Sequence, residues 1–507
     1  MKSGRDYIFV TVRGLSDAMD FLRGFLLLYI LGGAFGTEIF GTWGLIEQIY
    51  SVAVILSGLG LSQSVIRYLA GDHKASYIRK VCLLSSGLIL TAGLVLTAAA
   101  ALLAPEIALK IIKDSSSVAF LKAALPLILL NAFELFLDGC FRSRLRIREH
   151  SFIRMFFTML TLAAYLFAAR KGYGLKEIIL LSLSVKLLYV LCLCLFFALL
   201  EFIGRGEEQT KEDAPEGEEF SLPKDGPAIQ ALKGMLLFGA PLMMFGLSNW
   251  LFGTGGKVIL GFQNGAGAVG RYDASLKIAQ LIQYLGMPIV YTLLPLLADA
   301  VSRSGKESVY EICRRFARLY FFLALPLFFG LLATHNDLLG FVTGRGEFST
   351  PLWFFLIPLS GAFLSQLIAF YHNVIFLKGH SRFLFLANFT AALACLVLNT
   401  LFTARLGMWC TALSSLASYL LLLFMCALKV RGYGFSPLRF LDLGFFLKSF
   451  ACAFLMFAAV MAARALLPWE GLFKLFSLAA VGVLVYFLLV ALRNRLSFKE
   501  ALKELIG

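Results

Sequence analysis

The chain has 507 residues, of which 59% are hydrophobic and only 15% charged, with a mean hydropathy of +0.82. A soluble domain is nearer a quarter charged, so a soluble protein is excluded, and the continuous apolar runs exclude a β-barrel, whose strands alternate at period two. The formal charge of +15 would suit a nucleic-acid partner, but lysine and arginine also collect in the cytoplasmic loops of membrane proteins; read that way, no nucleic acid is expected.

Taken in order, apolar runs long enough to cross a bilayer fall at about 15–35, 42–66, 80–104, 118–140, 151–169, 175–200, 233–255, 268–298, 315–333, 350–377, 383–403, 407–428, 444–465 and 471–492. The chain is therefore expected to be an all-α integral membrane protein of about fourteen transmembrane helices. The first run lacks a small-residue cleavage site and reads as a retained helix rather than a signal peptide. Basic residues gather before the first span (Lys2, Arg5, Arg13), after the second (Lys74, Arg79, Lys80) and after the fourth (Arg142, Arg144, Arg146, Arg148, Arg154). They recur after the eighth (Arg303, Lys306, Arg314, Arg315, Arg318), the tenth (Lys378, Arg382), the twelfth (Lys429, Arg431, Arg439) and at the C-terminus (Arg493, Arg495). All fall on one side, which places both termini in the cytoplasm; Arg170, Lys171 and Arg405 are minor exceptions. Between the sixth and seventh spans, Glu201–Lys233 is acidic and poor in apolar residues, a flexible linker or a partner-binding segment. The nine cysteines lie singly in apolar runs, apart from Cys192 and Cys194, and read as small packing residues.

The two halves echo one another. Glu38–Ala70 matches the stretch from Gly265 to Ala298, with Gly41 and Gly270 separated by 229 residues. The same register pairs His150-Ser151 with His380-Ser381 at 230, Glu106 with Asp337 at 231, Pro126 with Pro358 at 232, and Gly172 with Gly407 at 235. Six spans per copy is an even number, so the copies point the same way about an axis along the membrane normal. The expected division is an N-lobe over 1–200, the acidic linker over 201–232, a C-lobe over 233–430, and two extra spans with a tail over 431–507.

Ionisable residues inside spans are costly and mark sites or partners. Arg23, Lys186, Lys257, Arg271 and Lys277 are the cationic candidates; Glu47, Glu134 and Asp273 are candidates for a coupling ion. Asp273 and Lys277, four apart, share a helix face and suit a simple pair, as do Asp20 and Arg23 near the interface. Lys186 has no acid in its own helix and reads as functional; Glu47 and Glu134 are proton sites or its partners. Asp138, close to the arginines after the fourth span, suits a structural ion pair equally well. Lys257 and Arg271 flank the turn before the eighth span and suit its outer mouth. Pro241, Gly286 and Pro288 interrupt the seventh and eighth spans and are candidate hinges, although proline is ordinary in membrane helices. No Walker loop, GxSxG or metal-spaced histidine cluster is present, and the first outer loop, Gly36–Gly41, is too short for an active site, so neither an enzyme nor a metal or cofactor is expected.

The segments FGTEIFGTWGLIEQIYSVAVILSGLGLSQSVIRYLA, FGAPLMMFGLSNWLFG, NGAGAVGRYDASLKI and LGMWCTALSSLASYL resemble the polysaccharide exporter family, the Wzx-type oligosaccharide flippases, in one superfamily with MATE antiporters and MurJ lipid II flippases. That resemblance covers most of the chain, including the plan of six spans, six spans and two. It implies a MATE/MurJ-like fold with a central, often cationic cavity. It also implies a monomeric transporter in the bacterial cytoplasmic membrane, with phospholipid, polysaccharide assembly enzymes and an anionic lipid-linked oligosaccharide as partners. Members often carry an acid where this chain has Lys257, which counts against an acidic cation site there. The expected function is flipping of an undecaprenyl-pyrophosphate oligosaccharide by alternating access, for cell-surface polysaccharide biosynthesis. The alternatives are a MurJ-like lipid II flippase, a MATE-type cation-coupled drug antiporter that would want a carboxylate-rich cavity, and a polysaccharide polymerase that would want a long outer loop.

Overall fold

The computed structural model describes residues 19, 23–69, 75–144, 146–203, 227–303, 305–466 and 471–494. Asp20, the N-terminal basic residues and most of the acidic linker lie outside the described residues. The described residues are helical almost throughout, with no strand among them, as hydrocarbon demands of a chain whose backbone groups must bond within their own segment. Twelve of the described helices are long and apolar enough to cross a membrane.

The fourteen-span architecture is made of these twelve, one of them double, and one span outside them. Arg23–Tyr68 is 46 residues long, about twice a crossing, and is broken at Gly36, whose φ of 86° and ψ of −172° are incompatible with a helix. The expected eighth span is present as consecutive helices, Ala266–Ala279 and Leu281–Arg303. The duplication is visible at the same place in both halves. Gly265, 229 residues after Gly36, has φ 84° and ψ 173°, nearly the same conformation. Side chains rarely adopt such a φ, so glycine is needed at both positions.

The chain forms two compact units. The first takes in residues 1–30 and 42–250 as far as they are described. Its core is built on Leu61, Val65, Val81, Ile89, Phe136 and Met235, with a second cluster of Leu137, Phe141, Tyr189 and Leu193. The seventh span, Ala228–Asn264, enters this unit through its first part, where small residues let backbones meet. A Cβ on Gly60 would run into the Gly239 carbonyl, and the Ser64 hydroxyl donates to the Met235 carbonyl at 2.8 Å.

The second unit takes in residues 31–41 and the described part of 251–507. Its core is aromatic: Tyr320, Phe321, Phe354, Phe355 and Phe370 are almost fully buried, and the Tyr320 hydroxyl donates to the Phe363 carbonyl at 3.0 Å. The last two spans are tied in by charge, Arg464 and Lys474 reaching Asp337 at 3.2 and 3.9 Å.

One crossing inside this unit depends on two glycines. A Cβ on Gly41 would strike the Ala266 carbonyl, and one on Gly270 would strike the Thr37 carbonyl. Since Thr37 and Ala266 are also 229 apart, the contact is reciprocal, each copy of the repeat offering the other the same glycine and the same carbonyl. Beside it, the turn at residues 343–350 caps both helix ends exposed by the Gly36 break. The Arg345 guanidinium donates to the carbonyls of Gly33 and Ala34, both at 2.8 Å, and Glu347 accepts from the Thr37 amide at 3.0 Å. A cation on terminal carbonyls and an anion on a first amide both complement the helix dipole.

Candidate functional site

Polar side chains in the first unit gather into stripes at helical spacing. In the fourth span, Ser117–Ser143, they are Asn131, Glu134 and Asp138; in the fifth, Ile147–Arg170, they are His150, Arg154, Thr158 and Thr161. Steps of three and four residues put each set on one helix face. The sixth span, Leu175–Leu199, adds Lys186 and Tyr189 on adjacent turns, and Arg23 comes from the first. Together these line a cavity of about 240 Å³.

Inside it, Lys186 forms an ion pair with Glu134, and its ammonium lies 5.5 Å from the centre of the Tyr189 ring. Arg154 and Arg23 also act on the Glu134 carboxylate through their charge. One turn on, Asp138 meets Arg142 at 2.8 Å and the Nδ1 of His150 at 3.2 Å. His150 is only 2% exposed, and its Nε2 lies 3.5 Å from the Tyr189 hydroxyl. Three fixed cations (Arg23, Arg154, Lys186) against two carboxylates (Glu134, Asp138) leave the lining one positive charge in excess with His150 neutral.

Of the two acids open as partners for Lys186, Glu134 is the one that meets it. Glu47 stands aside from the lining, sharing with Arg23 the electrostatic surroundings of Tyr50 and Tyr165. The ion pair expected of Asp138 is present, with Arg142, and its carboxylate also lines the cavity. Sequence reasoning treated His150 as a marker of the repeat and Arg154 as one of a set of loop arginines, and it passed over Asn131, Thr158 and Tyr189. The stripes 131/134/138 and 150/154/158/161 within apolar runs were the available signal.

The second unit holds the other candidates. Asp273 lies between two ammonium groups, bonded to Lys257 and 3.6 Å from Lys277. The expected pairing of Asp273 with Lys277 is present, but the dominant partner is Lys257, which is buried rather than placed at a mouth. A π-helical turn, Leu251–Gly255, precedes it, and Gly256 packs against Asn399 and Thr411, where a Cβ would come within 3.1 Å. Arg271, two residues from Asp273 and so on another face, is exposed. Gly286 is buried against Gln366, whereas Pro241 and Pro288 are exposed within continuous helices. Among the described residues, no three His, Cys, Asp or Glu side chains come together as a metal site requires.

The polar stripes of the first unit can hold a small anion among cations, or a few waters and a proton. They have no room for a whole glycolipid. Residues 10–301 match the model of a family described as polysaccharide biosynthesis protein. No curated protein matches the chain. Among solved structures, the lipid II flippase MurJ in an inward closed conformation is similar with a TM-score of 0.71 at 13% identity, over 96% of this chain and 99% of that one. An inward-facing multidrug resistance MATE family transporter is similar with a TM-score of 0.60 at 13% identity, over 83% of this chain and 95% of that one. At these identities the likeness is one of fold.

Proposed function

The chain belongs to the polysaccharide biosynthesis protein family, and from that premise we propose that it is a flippase for a lipid-linked oligosaccharide. It moves an undecaprenyl-pyrophosphate sugar from the inner to the outer leaflet of the bacterial cytoplasmic membrane by alternating access, with both termini in the cytoplasm. The observation that carries this reading is the cluster of Arg23, Arg154 and Lys186 around a cavity within spans that are otherwise apolar. Charges in that setting cost several kcal/mol unless used or paired, and the excess here is positive, which suits a diphosphate rather than a cationic drug. With the cell interior negative, each negative charge carried outward gains about 2.3 kcal/mol per 100 mV. The MurJ-like fold over nearly the full chain supports a flippase ahead of a MATE-type antiporter.

Leaflet-resolved transport of an undecaprenyl-pyrophosphate oligosaccharide in vesicles tests this. Wild type is expected to translocate it, and Arg23→Ala and Lys186→Ala to slow it at least tenfold, the cost of about 1.4 kcal/mol in the rate-limiting step. Unchanged transport in both variants overturns the assignment.

A further inference from the structure

The Glu134–Lys186 pair sets a problem for any anion entering the cavity: the ammonium that would hold a phosphate already holds a carboxylate. A diphosphate that takes Lys186 leaves Glu134 beside new negative charge, with fewer cations to balance it. Two negative groups in so confined a place do not both stay ionised, and protonation of the weaker acid relieves the conflict. We propose that Glu134 is a place-holder for the substrate's phosphate at Lys186, and that it takes up a proton when the anion displaces it. This rests on the transport reading above and adds to it a linkage: binding of the anion and binding of a proton are one event, so the charge carried by the loaded site is reduced by one.

The surroundings single out Glu134 among the titratable groups. Facing it are Arg23 from the first span, Arg154 from the fifth and Lys186 from the sixth, with Tyr189 under the Lys186 ammonium. Asp138, on its own helix one turn along, is held by Arg142 at 2.8 Å and by His150 at 3.2 Å. Displacing it would mean breaking two contacts, one of them to a group four residues away on the same helix. His150 lies beyond Asp138, packed on Phe141 with ring centres 5.4 Å apart, and faces the Tyr189 hydroxyl rather than the Lys186 ammonium. Glu47 and Tyr50 of the second span share the field of Arg23 but do not line the cavity. The pair itself is accessible to an exchange partner, with the Lys186 and Glu134 side chains 17% and 19% exposed, where the Lys257–Asp273 pair of the other unit is at 9% and 8%.

The test is titration of the full-length protein in zwitterionic nanodiscs with inorganic pyrophosphate, near neutral pH, by calorimetry in two buffers of different ionisation enthalpy. Wild type is expected to take up about one proton per anion beyond what Glu134→Gln takes up, and a carboxylic-acid carbonyl band appearing in its infrared difference spectrum must place that proton on Glu134 rather than on the anion. Glu134→Gln should bind pyrophosphate at least as tightly as wild type, Lys186→Ala about tenfold or more weakly. Equal uptake in wild type and Glu134→Gln overturns the proposal. Should Glu134→Gln not fold, the infrared difference spectrum of wild type replaces it: a carboxylic-acid carbonyl band must appear on adding pyrophosphate, and its absence is fatal. Pyrophosphate binding should survive phosphatidic acid in the nanodisc; displacement by that lipid would assign the cavity to a phospholipid headgroup and overturn the proposal. A wild type that flips the sugar lipid but binds pyrophosphate without uptake sinks this linkage and leaves the flippase reading intact. Linked uptake without transport does the reverse.

Discussion

The charged clusters of the two units are built from different places in one repeat. In the first, Glu134, Asp138, Arg154 and Lys186 come from the fourth to sixth spans. At the offsets of the repeat, 232, 230 and 235, their counterparts in the second half are Gln366, Phe370, Leu384 and Leu421. The second unit's Lys257, Asp273 and Lys277 correspond in turn, at 229, to Leu28, Gly44 and Gln48. What the copies share is backbone: the glycine breaks at 36 and 265 and the reciprocal crossing at Gly41 and Gly270. The two halves share a scaffold, and each carries charge at positions where the other is neutral. The two clusters also differ in kind, one lining a cavity and the other a carboxylate shared by two lysines and nearly closed to solvent.

That contrast can be broken experimentally. The largest effect is expected at Asp273, whose replacement by Ala leaves the buried Lys257 and the half-buried Lys277 side by side without the carboxylate they share; about 3–5 kcal/mol of stability should be lost, read as a fall in melting temperature in detergent. Adding Lys257→Met should restore part of it, and no restoration would mean the triad is not a closed charge system. The shared backbone feature is tested next. Gly41→Ala and Gly270→Ala each drive a methyl group into a carbonyl and should cost about 1–3 kcal/mol apiece, nearly equally; clearly unequal costs would show that the crossing is not reciprocal. A double-mutant cycle on Glu134 and Lys186 should give a coupling of about 1–2 kcal/mol, below that of the Asp273 pair because this pair is partly wet. A larger coupling than at Asp273 and Lys257 would reverse the comparison. Arg345→Ala removes a cap from the Gly33 and Ala34 carbonyls and, being at an exposed position, should cost only about 0.5–1 kcal/mol.

The smallest effect is a pH dependence of the second unit. Burial alone would raise the pKa of Asp442, but the hydrogen bond from Arg318, the Phe445 amide and the charges of Arg318 and Arg314 hold it below its ordinary value of 3.8. A depressed folded pKa contributes stability that is present above the unfolded value and is lost as pH falls through the folded one. Melting temperature should therefore drop below about pH 4, less steeply in Arg318→Gln. An identical slope in that variant would remove the pair from the account.

Much of this was legible in the chain. Apolar run length foretold the spans, because a bilayer admits only helices of about twenty residues. The match of Gly41 to Gly270 foretold the duplication, and the backbone at Gly36 and Gly265 bears it out. The Asp273–Lys277 pair followed from spacing alone, since four residues in a helix put two side chains on one face. The partner of Lys186 did not follow. Glu134 lies 52 residues away, and spacing says nothing of which helices adjoin. Lys257 was misplaced for the same reason: 16 residues before Asp273 and in a different helix, it read as a residue at a turn until packing buried it.

His150 shows the division most clearly. Its sequence match is His380, yet His380 stands before its helix, exposed and stacked on Tyr433 at 5.3 Å, while His150 sits within its own helix and 2% exposed. The sequence by itself determined the membrane class, the helix count, the repeat and the contacts within one helix, all consequences of short-range periodicity and the price of polar groups in lipid. Only the tertiary structure decided which charges meet, because an ion pair between helices depends on how each is rotated and which neighbours it touches. Two copies with the same landmarks could therefore gather their charges around a cavity in one half and around a buried carboxylate in the other.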